Sequence, residues 1–253
     1  MCSPTRPSFF PVTEPRRRRV TSWTVLLLGL GSALPAGATP PTDRDAQKKL
    51  NGHVETIQQR CLRAYPPELL AELTKGNSQD IPQDVDTDPK RQMQFLSTEI
   101  SLDKGLFYPT LLEELMPTLQ RFLEPGDRFL DLGSGDGRAL FLANVLGAHA
   151  TGIEYDERMV KVSRSAAESL APLLDETRLD IVQGDFFERS WSGYDLVFYF
   201  DLSSFEHERV RDKLRREMDA EALLVDGHEQ RPFPGFELVE DLRPMRVYRR
   251  GSD

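Results

Sequence analysis

The sequence predicts an α/β protein built on a doubly wound, mostly parallel sheet, with an antiparallel C-terminal hairpin and a helical extension in front. Three observations lead there. From Pro109 onward, short apolar runs alternate with amphipathic helical patterns. A glycine-rich turn, Gly133 to Gly137, joins the first of these runs to a helix. The last two runs are separated only by a turn around Arg243-Pro244, too short for the crossover that parallel strands need.

The N-terminal 38 residues read as an address. Arg16 to Arg19 precede a short apolar run, Trp23 to Leu34, and then Ala36-Gly37-Ala38. A positive segment, an apolar run and an A-x-A site form the pattern of a secretory signal, with cleavage expected after Ala38. The run falls short of the roughly 20 apolar residues of a membrane span. An uncleaved anchor with membrane association through residues 16–38, an organelle transit peptide and a twin-arginine export signal are the other readings.

Residues 39–91 form a helical extension followed by an acidic loop. After a Pro/Thr linker, Asp43 to about Tyr65 is helical, with Leu50, Val54, Ile57 and Cys61 on one stripe. Cys61 is the lone cysteine beyond the address and reads as a small buried hydrophobe. Pro66-Pro67 ends the helix, a short helix Glu68 to Leu73 follows, and residues 75–91 are a loop with four Asp and two Pro. The main domain is residues 92–253. Its helices are expected over Pro109 to Phe122, Arg138 to Leu146, Asp156 to Leu170 and Phe205 to Met218. Five parallel strands are expected over Arg128 to Leu132, Ala148 to Ile153, Arg178 to Gln183, Tyr194 to Phe200 and Ala222 to Asp226. Phe236 to Glu240 and Met245 to Arg249 make the hairpin.

Charge separates the two parts. The 253 residues carry a net −9, but residues 1–38 hold five Arg and one Glu, so the rest has 27 basic against 40 acidic residues, a net −13. Such a body does not suit a phosphate backbone, and nucleic acid is not the expected partner.

The chemistry is concentrated in Phe129-Leu-Asp-Leu-Gly-Ser-Gly-Asp-Gly-Arg138. Asp131 ends a buried strand, and Gly133, Gly135 and Gly137 turn the chain into a helix, with Ser134 and Asp136 between them. Glycines permit positive φ and let a ligand approach the backbone. Dinucleotide-binding folds use a related turn, but here the third glycine comes one residue early. The second strand ends in Gly152-Ile-Glu154-Tyr155, and the third runs into Gly184-Asp185-Phe186-Phe187. A nicotinamide-cofactor reading explains the glycines and Glu154, but not Gly184-Asp185-Phe186.

These landmarks, in this order, resemble class I (seven-β-strand) S-adenosylmethionine (SAM)-dependent methyltransferases, and the likeness runs from Phe107 to the C-terminus. It implies a Rossmann-like seven-stranded sheet and SAM as cofactor. It assigns Glu154 to the ribose diol and Asp185 to the adenine amino group, with Phe186 or Phe187 packed on the ring. Asp131 and the backbone of Gly133, Ser134, Gly135, Asp136 and Gly137 would face the methionine end, and Tyr155, after Glu154, would also bind the cofactor. The alternative for Glu154 and Asp185 is that they merely cap the turns that follow.

Leu106-Phe-Tyr-Pro-Thr-Leu-Leu-Glu-Glu-Leu115, ahead of Gly-Ser-Gly-Asp-Gly-Arg, is similar to the lead-in of small protein-lysine methyltransferases. The likeness is closest to the mitochondrial type that modifies a membrane ATP synthase subunit, and to its bacterial relatives. It implies that Tyr108 and Thr110 line the cofactor or active site. Asp201, where amide and nucleobase methylases carry Asn/Asp-Pro-Pro-Tyr, is the candidate for contacting the accepting amine; capping the next helix is its other reading. His207 and His228 are weaker candidates for a base. No metal is expected. The expected activity is methylation of a protein lysine. A small-molecule O- or N-methyltransferase and a non-catalytic exported nucleotide-binding protein are the alternatives.

Overall fold

A computed structural model describes residues 43–69, 100–102, 105–107, 109–200, 207–227 and 233–251. The address of residues 1–38, the loop of residues 75–91, Tyr108, Asp201 and His228 lie outside the described residues. No described helix is long and apolar enough to cross a membrane.

The elements are α1 (Asp43–Arg63), a small hairpin of β1 (Ile100–Leu102) and β2 (Gly105–Phe107), α2 (Leu112–Phe122), β3 (Arg128–Leu132), α3 (Arg138–Val145), β4 (His149–Glu154), α4 (Glu157–Leu170), β5 (Leu179–Gln183), β6 (Leu196–Tyr199), α5 (His207–Glu217), β7 (Leu223–Asp226), β8 (Phe236–Leu242) and β9 (Met245–Arg250). The main sheet has seven strands in the order β5-β4-β3-β6-β7-β9-β8. Its first five strands pair in parallel, and β9 pairs antiparallel with both β7 and β8. The strand order reverses between β4-β3 and β6, so a crevice opens at the carboxyl ends of these strands.

Alternation along the strands divides the core. Phe129, Leu196, Phe198, Leu223 and Val225 face a cluster completed by α1, α2, α3 and α4, whereas Leu130, Leu132, Val197, Tyr199 and Leu224 face one completed by Trp191 and α5. In α3, Arg138 through Asn144 are all buried, as expected of a helix covered on every side. Val54, Ile57 and Cys61 of α1 belong to the first cluster, so this helix is built into the core.

Most element ends fall within one or two residues of the sequence expectation, and two local features depart further from it. Helix α2 begins at Leu112 rather than Pro109, with Leu111 extended at φ −73° and ψ 111°. Its first turn then carries Glu113 and Glu114, where the helix dipole favours acids. The β1–β2 hairpin was not expected from the sequence; its strands of three residues are too short to show alternation.

Candidate functional site

The parallel register brings the three landmark strand ends side by side. Leu132 at the end of β3 pairs with Ile153, and Glu154 at the end of β4 pairs with Gln183 of β5. Asp131, Glu154 and Asp185 therefore sit at one edge of the sheet, around the loop that links β3 to α3.

That loop turns through left-handed backbone at all three glycines, with φ of 80°, 54° and 83° at Gly133, Gly135 and Gly137. The end of β4 fixes one side of it. The Gly133 and Ser134 amides donate to the Ile153 carbonyl at 2.9 and 3.1 Å, and the Gly135 amide donates to Glu154 Oε2 at 2.8 Å. Two glycines serve close packing. A Cβ on Gly137 would come within 2.3 Å of Ser163 Oγ, and one on Gly152 within 2.7 Å of Ser134 Cβ. Gly133 is different: a Cβ there would meet nothing within 4 Å. The loop is thus packed behind and open at Gly133.

Glu154 is 8% exposed, and its Oε1 also accepts from the Asp156 amide at 2.8 Å. Burial raises its pKa against these backbone donors. Asp131 is 3% exposed; burial, then the charges of Glu154 and Asp136, push its pKa up to about 8. The edge is therefore rich in buried acid and suits a ligand that brings positive charge.

Asp136 does something the sequence reading did not foresee. Its carboxylate is forked by Arg138, whose Nε lies 2.9 and 3.1 Å from the two oxygens and whose Nη2 also contacts Oδ2. It accepts from the Arg138 amide at 3.3 Å at the start of α3 and from the Tyr65 hydroxyl at 2.9 Å. The side chain is thus committed to holding the loop, and what Asp136 offers the crevice is its backbone.

Asp185 Oδ1 accepts from the Phe187 amide at 2.8 Å and so caps the 3₁₀ turn Phe186–Glu188. Phe186 is half-buried against Phe187 and Trp191, with ring centroids at 4.6 and 5.8 Å. Tyr155, directly after Glu154, is 43% exposed. Thr110 is buried just ahead of α2. Ser134 is buried and its Oγ meets no hydrogen-bond partner among the described residues. His207 is buried with its ring edge-on to Phe233 at 4.6 Å, a core environment. Besides Asp136, the sequence reading missed Tyr65 and the packing role of Gly152. A glycine inside a buried strand does signal close approach of another backbone, but nothing local announces Tyr65.

Comparison with known proteins gives a family match over part of the chain. The model of a family described as the ANTKMT methyltransferase domain matches residues 131–228, a span that begins at Asp131 and includes all three strand ends. No curated protein matches the chain. Among solved structures, an RNA methyltransferase from Salinibacter ruber in complex with S-adenosyl-L-homocysteine is 26% identical, covers 56% of this chain and 91% of its own, and has a TM-score of 0.45. A mutant of MtNAS in complex with S-adenosylmethionine is 16% identical over 81% of this chain and 76% of its own, with a TM-score of 0.48. A TehB-like SAM-dependent methyltransferase from Corynebacterium glutamicum is 15% identical over 54% of this chain and 87% of its own, at a TM-score of 0.43. The match to a methyltransferase family model thus falls on less than half of the chain, on the part of a Rossmann-like seven-stranded sheet that holds the glycine turn and the acids at the strand ends.

Proposed function

We propose that the chain methylates a lysine amine of a protein, with SAM lying along the carboxyl ends of β3, β4 and β5. The observation that carries this placement is the loop from Gly133 to Gly137, held from behind yet open where a Cβ on Gly133 would meet nothing within 4 Å. The residues present fit the cofactor. SAM carries a net positive charge, and the buried acids Asp131 and Glu154 are the groups such a charge relieves.

In this reading Glu154 takes the ribose hydroxyls. Each of its carboxylate oxygens accepts one amide at 2.8 Å, Oε2 from Gly135 and Oε1 from Asp156, and each can accept a further donor. Asp185 takes the adenine amino group, Phe186 and Tyr155 flank the nucleoside, and Asp131 with the backbone of Gly133 to Gly137 receives the methionine end. Thr110 and Tyr108 line the site from the segment ahead of α2. Bound SAM supplies an electrophilic methyl group on a sulfonium. The protein's part is to align a nucleophile with it and exclude water. Asp201, just beyond Phe200 at the end of β6, orients the accepting amine and stabilises charge as nitrogen becomes positive.

Lysine as acceptor is supported by the lead-in segment and by the net −13 of residues 39–253, which attracts a cationic partner. Incubating a host lysate with the full chain and methyl-labelled SAM tests it. Methyl-lysine in digested protein is the expected result; label confined to small molecules would favour the alternative acceptor class. For residues 16–38 the reading remains export or membrane anchoring, with organelle import as the alternative outcome of a fractionation experiment.

A further inference from the structure

We propose that Tyr65, just beyond the end of α1, is a positioning residue for cofactor binding: by holding Asp136 it keeps the loop from Gly133 to Gly137 in the conformation that receives SAM. This rests on the cofactor placement argued above.

Asp136 stands between Gly135 and Gly137, both in left-handed backbone, so its immediate neighbours restrain it little. Its restraint comes from its contacts. Arg138 is two residues away and ties the carboxylate only within the loop itself. Tyr65 is 71 residues away and ties it to another element, its hydroxyl donating to Oδ2 at 2.9 Å. Four residues before Tyr65, the Cys61 thiol approaches the Asp136 carbonyl at 3.8 Å. The chain at and just beyond the end of α1 therefore grips the same residue by backbone and by side chain, in addition to the grip that β4 has on Gly133, Ser134 and Gly135. Tyr65, Cys61, Asp136 and Arg138 are each at most 5% exposed, so water does not replace these contacts. Burial and the Asp136 charge raise the Tyr65 phenol and Cys61 thiol well above their usual pKa, which keeps both as donors.

The Tyr65 ring packs separately, against Leu69, Met159 and Val162. Tyr65→Phe keeps that packing and removes the hydroxyl that ties Asp136. Ile57→Val, at a fully buried position of α1, is the control, because it weakens packing and leaves the tie intact. With full chains titrated calorimetrically with S-adenosylhomocysteine and SAM, Tyr65→Phe is expected to raise both Kd values about tenfold. It should also speed amide exchange at residues 133–137. Ile57→Val should lower the thermal midpoint with Kd unchanged. In the unaltered chain, S-adenosylhomocysteine should slow exchange at residues 61–65 as well as in the loop, because coupling is reciprocal. Wild-type Kd in Tyr65→Phe, an equal loss of affinity in Ile57→Val, or no change at residues 61–65 on binding would each overturn the proposal. If the unaltered chain binds neither compound, the cofactor placement itself falls and the proposal with it.

Discussion

Alanine at Gly133 and at Gly137 should give opposite phenotypes, although the two glycines share one loop and nearly one φ. Their φ values of 80° and 83° mean that each substitution forces a side chain into left-handed backbone, at about 1–2 kcal/mol. Gly137→Ala adds a clash, since the new Cβ would lie 2.3 Å from Ser163 Oγ and 2.7 Å from Phe141 Cζ. Overpacking of that kind costs about 1–3 kcal/mol more. The sum, roughly 2–5 kcal/mol, is a large part of the 5–15 kcal/mol by which domains are stable. At Gly133 the new methyl would enter open space, so the folded chain carries only the backbone strain. In the proposed complex, however, that space holds the cofactor. The same methyl should then weaken S-adenosylhomocysteine by about 1–3 kcal/mol, roughly five- to 150-fold in Kd. Urea unfolding gives the stabilities, and calorimetric titration gives the affinities. Wild-type affinity in Gly133→Ala, or equal loss of stability in both variants, would refute the assignment of one glycine to the ligand and the other to packing.

Asp131, with a pKa pushed up to about 8, is mostly protonated at pH 7, so the arrival of cationic SAM should release protons. Binding enthalpies in two buffers of different ionisation heat would show that release; SAM affinity should rise toward pH 8, and Asp131→Asn should abolish both effects. Without ligand, the raised pKa means the folded state retains a proton that the unfolded chain has lost. Stability should therefore decline from about pH 4 to about pH 8, and less so in Asp131→Asn, as pH-resolved urea titrations can measure. Glu154→Ala should weaken S-adenosylhomocysteine by about 1–3 kcal/mol, and unchanged affinity would remove Glu154 from the ribose. Asp156→Ala removes the N-cap that accepts from the Arg158 and Met159 amides at 2.8 and 3.4 Å, and should cost about 1 kcal/mol of stability in urea with no change in affinity.

The parallel core was legible because short apolar stretches recur between helical patterns and end near glycines and acids; β3 spans Arg128 to Leu132 as expected, and β4 and β5 begin one residue later than expected. Glu154 and Asp185 were legible as strand-end acids because register in a parallel sheet aligns successive strand ends. The direction of a side chain inside a turn was not. Asp136 belongs to a motif that specifies backbone path, and only the fold shows that its carboxylate faces Arg138 and Tyr65. The attachment of α1 was hidden for a related reason. Its apolar stripe announces that one face is buried, but the partner of Tyr65 lies 71 residues away and leaves no periodic trace. Asp185 illustrates the converse case: capping was one of its two readings, and Oδ1 does serve the Phe187 amide.

A crystal structure of the full chain with S-adenosylhomocysteine would locate the cofactor outright. The ligand is expected across the carboxyl ends of β3, β4 and β5, its ribose hydroxyls on Glu154 and its methionine end against the backbone from Gly133 to Gly137. Ligand bound elsewhere on the sheet, or a ribose that does not touch Glu154, would contradict that placement.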